Sequence, residues 1–366
     1  MKWSFRIGRI AGIPLYIHAT FLILVAWVAI MEYASHANPA ATADSIALIA
    51  LVFVIVVLHE LGHALAARRY GIETQDITLL PIGGLARLRR IPEDPRQELV
   101  VAFAGPLVNV VLAASLFLGI CIAAGPREVL RGALTGGDLM AQLVWVNVLL
   151  AVFNLIPAFP MDGGRVFRAL LAFHMDRVRA TEIAVSVGHL CAFVFGAIGL
   201  LLLFNPFLVF IAFFVWIGAD AELQHVRMHA TLSGVKVGDV MTRRFESVEA
   251  SSHLSDVSPL ASVGFQHEFP VMDGGRVVGF IGLEDIARGI SESGPNRLVS
   301  QSMHADFGVA KPADPLEDVI ADWEPGSAQA IAVVDGGKLE GIVTPATIGE
   351  HLRVHSAITG AARSMP

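Results

Sequence analysis

The sequence predicts a polytopic α-helical membrane protein, with about six transmembrane helices and a membrane-associated β-hairpin, followed by a soluble α/β module. Three observations carry this. The chain has 366 residues, 54% of them hydrophobic, and a mean hydropathy of +0.63, far outside the soluble range. Its apolar residues collect in runs of about bilayer length. Its charges divide unevenly, a net +1 over residues 1–229 and −8 over residues 230–366, so an acidic soluble tail follows the apolar part. Such a surface repels phosphate backbones, and no nucleic-acid partner is expected. Cys121 and Cys191 lie in apolar runs as small hydrophobes, and two cysteines exclude a thiolate metal cage.

Six spans are read in order: Ile13 to Met31, Ser45 to Arg68, Leu99 to Ala123, Leu139 to Pro157, Thr181 to Phe204 and Phe207 to Ala221. Asn205-Pro206 makes a tight turn between the last two. The first is long for a signal peptide and is kept as a span. Placing alternate loops inside puts fourteen Lys and Arg residues in the cytoplasm, Lys2, Arg90 and Arg168 among them, with only Arg127 and Arg131 outside. That positive-inside bias, with an even number of spans, puts both termini and the tail on the cytoplasmic side of the cell membrane. The expected division is a membrane domain over residues 1–225, a linker over 226–237, a repeated module over 238–355 and a flexible tail over 356–366.

His59-Glu60-Leu61-Gly62-His63 ends the apolar run of span two. Ionisable groups at bilayer depth cost at least ~2.5 kcal/mol each and are usually functional. Positions i and i+4 share a helix face, so His59 and His63 are spaced to hold one zinc while Glu60 points at its water. Two core histidines in hydrogen bonds are the plainer reading, which leaves the glutamate without a role. Catalytic zinc takes three protein ligands, and the candidate for the third is Asp162. It follows span four, where Pro157 and Pro160 break the helix and Gly163 and Gly164 permit close approach. From these residues alone, a ligand and an aspartate capping the next helix stand as equal readings.

His-Glu-Leu-Gly-His in span two and Pro160-Met161-Asp162-Gly163-Gly164 after span four resemble the paired signatures of the site-2 proteases, intramembrane zinc metalloproteases of the M50 kind. The resemblance covers residues 1 to about 225. It implies that His59, His63 and Asp162 bind one Zn2+, that Glu60 is general base and acid, and that Asn154 steadies the oxyanion. Met161 stands where the family usually has leucine, a change of little size or polarity. Gly71 to Leu88 resembles the family's membrane-dipping hairpin, with strand-like residues around Pro81 and Gly83-Gly84. An edge there, expected at Thr78 and Leu79, would pair with an unwound substrate. The alternative is a loop on the headgroups, anchored by Arg87, Arg89 and Arg90. Gly105 and Asn109 also match the family, with structural roles in helix contact expected for both. His18, His189, His225 and His229 are read as structural.

Residues 238–290 and 300–352 align without gaps at a shift of 62, and Asp273-Gly274-Gly275-Arg276 falls on Asp335-Gly336-Gly337-Lys338. Each reads as a tight hairpin turn. The repeat resembles a tandem pair of CBS domains, which commonly bind adenine nucleotides between repeats. A binding repeat usually carries a hydroxyl three residues before an aspartate. The first repeat has Gly282 and Asp285, the second Thr344 and Thr347, so weak or absent ATP and AMP binding is expected. The tail is left to form a homodimer or to position substrate. The expected function is intramembrane zinc proteolysis of single-pass membrane proteins, such as anti-sigma factors, within the lipid bilayer. A CBS-gated transporter and a proteolytically inactive regulator are the rivals. Transport would spread polar residues along several helices, and an inactive regulator would have little reason to keep His59, Glu60, His63 and Asp162.

Overall fold

The computed structural model describes residues 3–36, 39–81, 83–89, 92, 94–123, 125, 127, 139–263, 266–321, 323 and 330–353. Lys2, Ile82, Arg90 and Arg131, parts of the second repeat and the tail over 356–366 lie outside them. The chain separates into two units, Met1–Val226 and Arg227–Pro366.

The first unit opens with strands, not a span. β1 (Ser4–Ile10) and β2 (Ile13–His18) pair antiparallel, Ile10 opposite Ile13. Ala11 and Gly12 form the two-residue loop at φ 52° and 86°, the positive pair that a hairpin of right-handed twist demands. The expected start of span one at Ile13 is therefore corrected. Ile13–His18 is apolar and carries isoleucines and a tyrosine, so hydropathy ran it together with the helix that follows.

α1 (Ala19–His36) and α2 (Pro39–Arg69) come next, then β3 (Thr74–Leu80) and β4 (Gly83–Leu88). The four strands form one sheet in the order β1-β2-β3-β4. β2 and β3 are parallel, with Tyr16 opposite Thr78, and β3 and β4 are antiparallel, with Thr78 opposite Leu85. The hairpin is thus half of a larger sheet. β3 is interior, with Ile77, Thr78 and Leu79 buried, so the edge expected at Thr78 and Leu79 belongs to β4. Arg87 is no simple headgroup anchor: it pairs across the strands with buried Asp76, its Nε donating at 3.0 Å.

α3 (Pro95–Ala123), α4 (Leu139–Asn154), α5 (Asp162–Ala172), α6 (Arg177–Ala197) and α7 (Pro206–Leu232) complete the series. Among the described residues, four segments suit a membrane crossing by length and composition, Ser45–Arg69, Pro95–Ala123, Arg177–Leu202 and Pro206–Leu232, and two shorter apolar helices accompany them. Asn205 Oδ1 accepts from Phe207 N–H at 3.0 Å, capping α7 where Pro206 occupies the first turn.

The second unit repeats itself. Its first half holds α8 (Val237–Val240), β5 (Val248–Glu249), α9 (Leu254–Val263), β6 (Glu268–Asp273), β7 (Arg276–Gly282) and α10 (Leu283–Ser293). Its second holds β8 (Gly308–Ala310), α11 (Leu316–Ala321), β9 (Ile331–Asp335), β10 (Lys338–Val343) and a helix over 345–353. Each half makes a three-stranded sheet. Gly274 and Gly275 turn at φ 55° and 81°, and Gly336 and Gly337 at 55° and 83°, the same hairpin 62 residues on. Phe280, Ala330, Ala332 and Ile342 form a buried cluster that joins the two halves.

Candidate metal centre

α2 carries both histidines because residues four apart share a face, and that face meets α3 closely. A Cβ on Gly62 would sit 2.8 Å from Val108 Cγ2 and 2.9 Å from the Ala104 carbonyl, so the glycine sets the approach of the two helices. His59 and His63 are buried, and their Nε2 atoms lie 3.1 Å apart. Asp162 Oδ2 stands 3.1 Å from each. The three ligand atoms lie within 4.8 Å of one another.

Their other nitrogens are spoken for. His59 Nδ1 lies 2.5 Å from Asn109 Oδ1, and His63 Nδ1 lies 2.7 Å from the Val101 carbonyl. An amide oxygen and a carbonyl only accept, so each Nδ1 carries the proton and each Nε2 turns a lone pair inward, the arrangement of metal-binding imidazoles. Asn109 Nδ2 in turn donates to Asn147 Oδ1 at 3.1 Å, and Asn147 Nδ2 to the Leu143 carbonyl at 2.8 Å. Both asparagines are fully buried, which is affordable because their amides are satisfied. A Cβ on Gly105 would overlap His63 Nε2 and stand 2.7 Å from His59 Nε2. The space above the imidazoles exists because residue 105 has no side chain, and the donor set fits a divalent cation.

Asp162 is not a cap. Met161 is the N-cap residue of α5, and Asp162 is its first helical residue, with the carboxylate turned to the imidazoles. A Cβ on Gly164 would come within 2.7 Å of the Ala158 backbone, and one on Gly163 would overlap Leu155 and Ile156, so α5 starts directly against the preceding loop. Arg168 holds the helix. It is fully buried, its Nε donating to Glu98 of α3 at 2.8 Å and a terminal nitrogen to Glu222 of α7 at 2.6 Å. Buried charges of this kind persist only when paired.

Two predicted site residues stand differently. Glu60 is half-buried, and its Oε2 accepts from the Ala86 amide of β4 at 3.2 Å. Asn154 ends α4, half-buried and without a side-chain hydrogen bond among the described residues. Sequence reasoning gave Asn109 a structural role and did not single out Asn147 or the Arg168 pairing. The available signal was polar residues inside apolar helices. His189 stacks on Trp216 at 4.1 Å with its Nε2 3.2 Å from Asp220, away from the three-ligand group.

The sequence profile of Peptidase family M50 matches residues 47–135 and 132–195, and that of the CBS domain matches residues 237–292. Over 348 residues the chain is 33% identical to "Zinc metalloprotease MJ0392" of Methanocaldococcus jannaschii, covering 95% of this chain and 96% of that protein. The chain belongs to Peptidase family M50. This M50 peptidase is also 28% identical to "Putative zinc metalloprotease Rip3" of Mycobacterium tuberculosis, over 97% of this chain and 94% of that one. A solved structure, "Site-2 Protease from Methanocaldococcus jannaschii", is 36% identical over 60% of this chain and 95% of its own, with a TM-score of 0.44. The M50 peptidase is thus a multi-pass membrane hydrolase of the metalloprotease kind with a CBS module after its membrane part.

Proposed function

We propose that the chain is an intramembrane zinc endopeptidase that cuts single-pass membrane proteins. The observation that carries this is the convergence of His59 Nε2, His63 Nε2 and Asp162 Oδ2 beside Gly105, with both imidazole tautomers held by outside partners. These three residues would hold one zinc ion. When bound, zinc lowers the pKa of a water and polarises the scissile carbonyl. Glu60 takes the proton from the attacking water and hands it to the leaving amine. Asn154 donates its amide to the oxygen that becomes negative, a charge too costly to leave unpaired in a low-dielectric site.

β4 is the sheet edge next to α2 and would hold the substrate extended, since helical peptide bonds are shielded from attack. In this reading residues 1–225 are the protease and 238–355 the regulatory or assembly module, with both termini cytoplasmic. Weak or absent binding of adenine nucleotide is expected in the tail. Asp285 Oδ2 accepts the Gly282 amide at 3.2 Å and lies 3.1 Å from His304, and Thr344 and Thr347 cap the last helix reciprocally. A cleft of about 840 Å³ in the tail is lined by Glu246, Glu268 and Glu350 against one arginine, Arg244, a poor setting for phosphates.

The test is cleavage by the purified chain in detergent of a panel of single-pass segments, each with and without a helix-breaking pair. Zinc-dependent cutting that improves with helix breaking supports the proposal. Failure to cut any segment at full zinc content, while soluble unfolded peptides are cut freely, would move the substrate class out of the membrane.

A further inference from the structure

The seat of Glu60 joins the catalytic base to the place where substrate is expected to dock. Ala86 gives its N–H to Glu60 Oε2, a side chain of α2 and not a strand of the sheet, so this amide is read as pointing outward from the edge strand. It is one of the donors that an added strand would use. Gly84, two residues earlier, shares its orientation along β4. A Cβ there would stand 2.5 Å from Glu60 Cγ and 3.0 Å from Oε1, so the carboxylate rests in a space that only glycine leaves open. Gly84 has no positive φ, and its backbone needs no glycine; the close approach of Glu60 does.

We propose that Gly84 and Ala86 are specificity-determining residues, which restrict hydrolysis to peptide segments able to add an extended strand to β4. A substrate carbonyl paired with Ala86 N–H replaces the Glu60 carboxylate there. Glu60 is thereby released towards His59, His63 and Asp162, where its proton transfers take place. A peptide too short or too helical to pair with β4 leaves Glu60 on Ala86 and is not cut. The proposal rests on the reading of Glu60 as base and of β4 as docking edge.

The full chain in detergent, loaded with zinc, tests it through Gly84→Ala, whose methyl group expels Glu60 while the Ala86 amide stays in place. Two substrates are compared, a single-pass span with a helix-breaking pair and a four-residue fluorogenic peptide too short to form a strand. The expected result is a rise of about fivefold in kcat/KM for the short peptide and a fall of about threefold in KM for the span, the size of one net hydrogen bond. An unchanged or lowered rate on the short peptide, at parental zinc content and thermal stability, overturns the proposal.

Binding supplies a second measurement that needs no catalysis. Glu60→Ala removes the competitor for Ala86, so a labelled span should bind about threefold tighter than to the parent; equal or weaker binding also overturns it. Failure of the underlying reading looks different. Cleavage that survives in Glu60→Gln removes the base, and span binding indifferent to Ala86→Pro, which takes away the outward amide, removes the docking edge.

Discussion

Each imidazole presents a lone pair to a metal only if its other nitrogen is held protonated, and here Asn109 and Val101 do the holding. Asn109→Ala should therefore weaken zinc binding by about 10- to 100-fold, read by competition with a chelator. The cobalt-substituted protein should show an altered ligand-field spectrum, which a remote packing defect would not produce. Gly105→Ala should lose the metal outright, because its methyl group would fill the space beside both Nε2 atoms. His59, Glu60 and His63 were legible because a four-residue spacing is local; at Asp162 the prolines and glycines announced a broken backbone but left ligand and cap as equal readings, and only the family resemblance favoured the ligand. The link from Asn109 to His59 spans 50 residues, and no helical periodicity encodes such a pairing. Family resemblance marked Asn109 without saying what it touches. Glu60 was expected at the metal's water, and its resting place on Ala86 depends on a strand that only the folded sheet brings alongside α2.

The hairpin formed by β3 and β4 was readable from β-prone residues around Pro81 and the glycine pair, whereas β1 and β2 were not, because β2 merges into the apolar run of α1. That omission displaced the edge. With β2 on its other side, β3 is interior, so proline at Thr78 would break a ladder within the sheet and should destabilise the fold. Proline at Ala86, whose amide on β4 faces away from β3, is the proper probe: it should cut substrate turnover at least about tenfold with zinc content unchanged, measured side by side. α5 depends on Arg168, which was counted among charges facing the cytoplasm and instead lies buried between Glu98 and Glu222. Arg168→Met strips both carboxylates of their nearest partner, leaving Glu98 only the more distant Arg177 at 3.9 Å, and should destabilise the protein by about 3 kcal/mol, measured by denaturant unfolding in detergent. Stability within 1 kcal/mol of the parent, about the worth of an exposed pair, would show that the carboxylates find other partners.

Across the whole molecule, the duplicated tail was plain from its 62-residue shift, and its two glycine turns follow that register. Its sensitivity to pH was not legible, because it arises where the fold gathers acids. Burial pushes the Glu268 carboxyl up to about 7, with Asp285 and Glu284 adding to the shift and His304 opposing it. A raised carboxyl pKa favours the neutral form in the fold, so this contribution is complete below the ordinary glutamate range and is lost as pH rises through about 7. Glu268→Gln should then slow hydrogen exchange in β6 and β7 of the full chain at pH 8 and leave it unchanged at pH 4. The central claim, one zinc held by His59, His63 and Asp162 with Glu60 as base, is tested most directly by measuring zinc content and span cleavage together in the parent, Glu60→Gln and Asp162→Ala. The account predicts zinc and cleavage in the parent, zinc without cleavage in Glu60→Gln, and neither in Asp162→Ala. Cleavage by Glu60→Gln at the parental rate, or full zinc in Asp162→Ala, would contradict it.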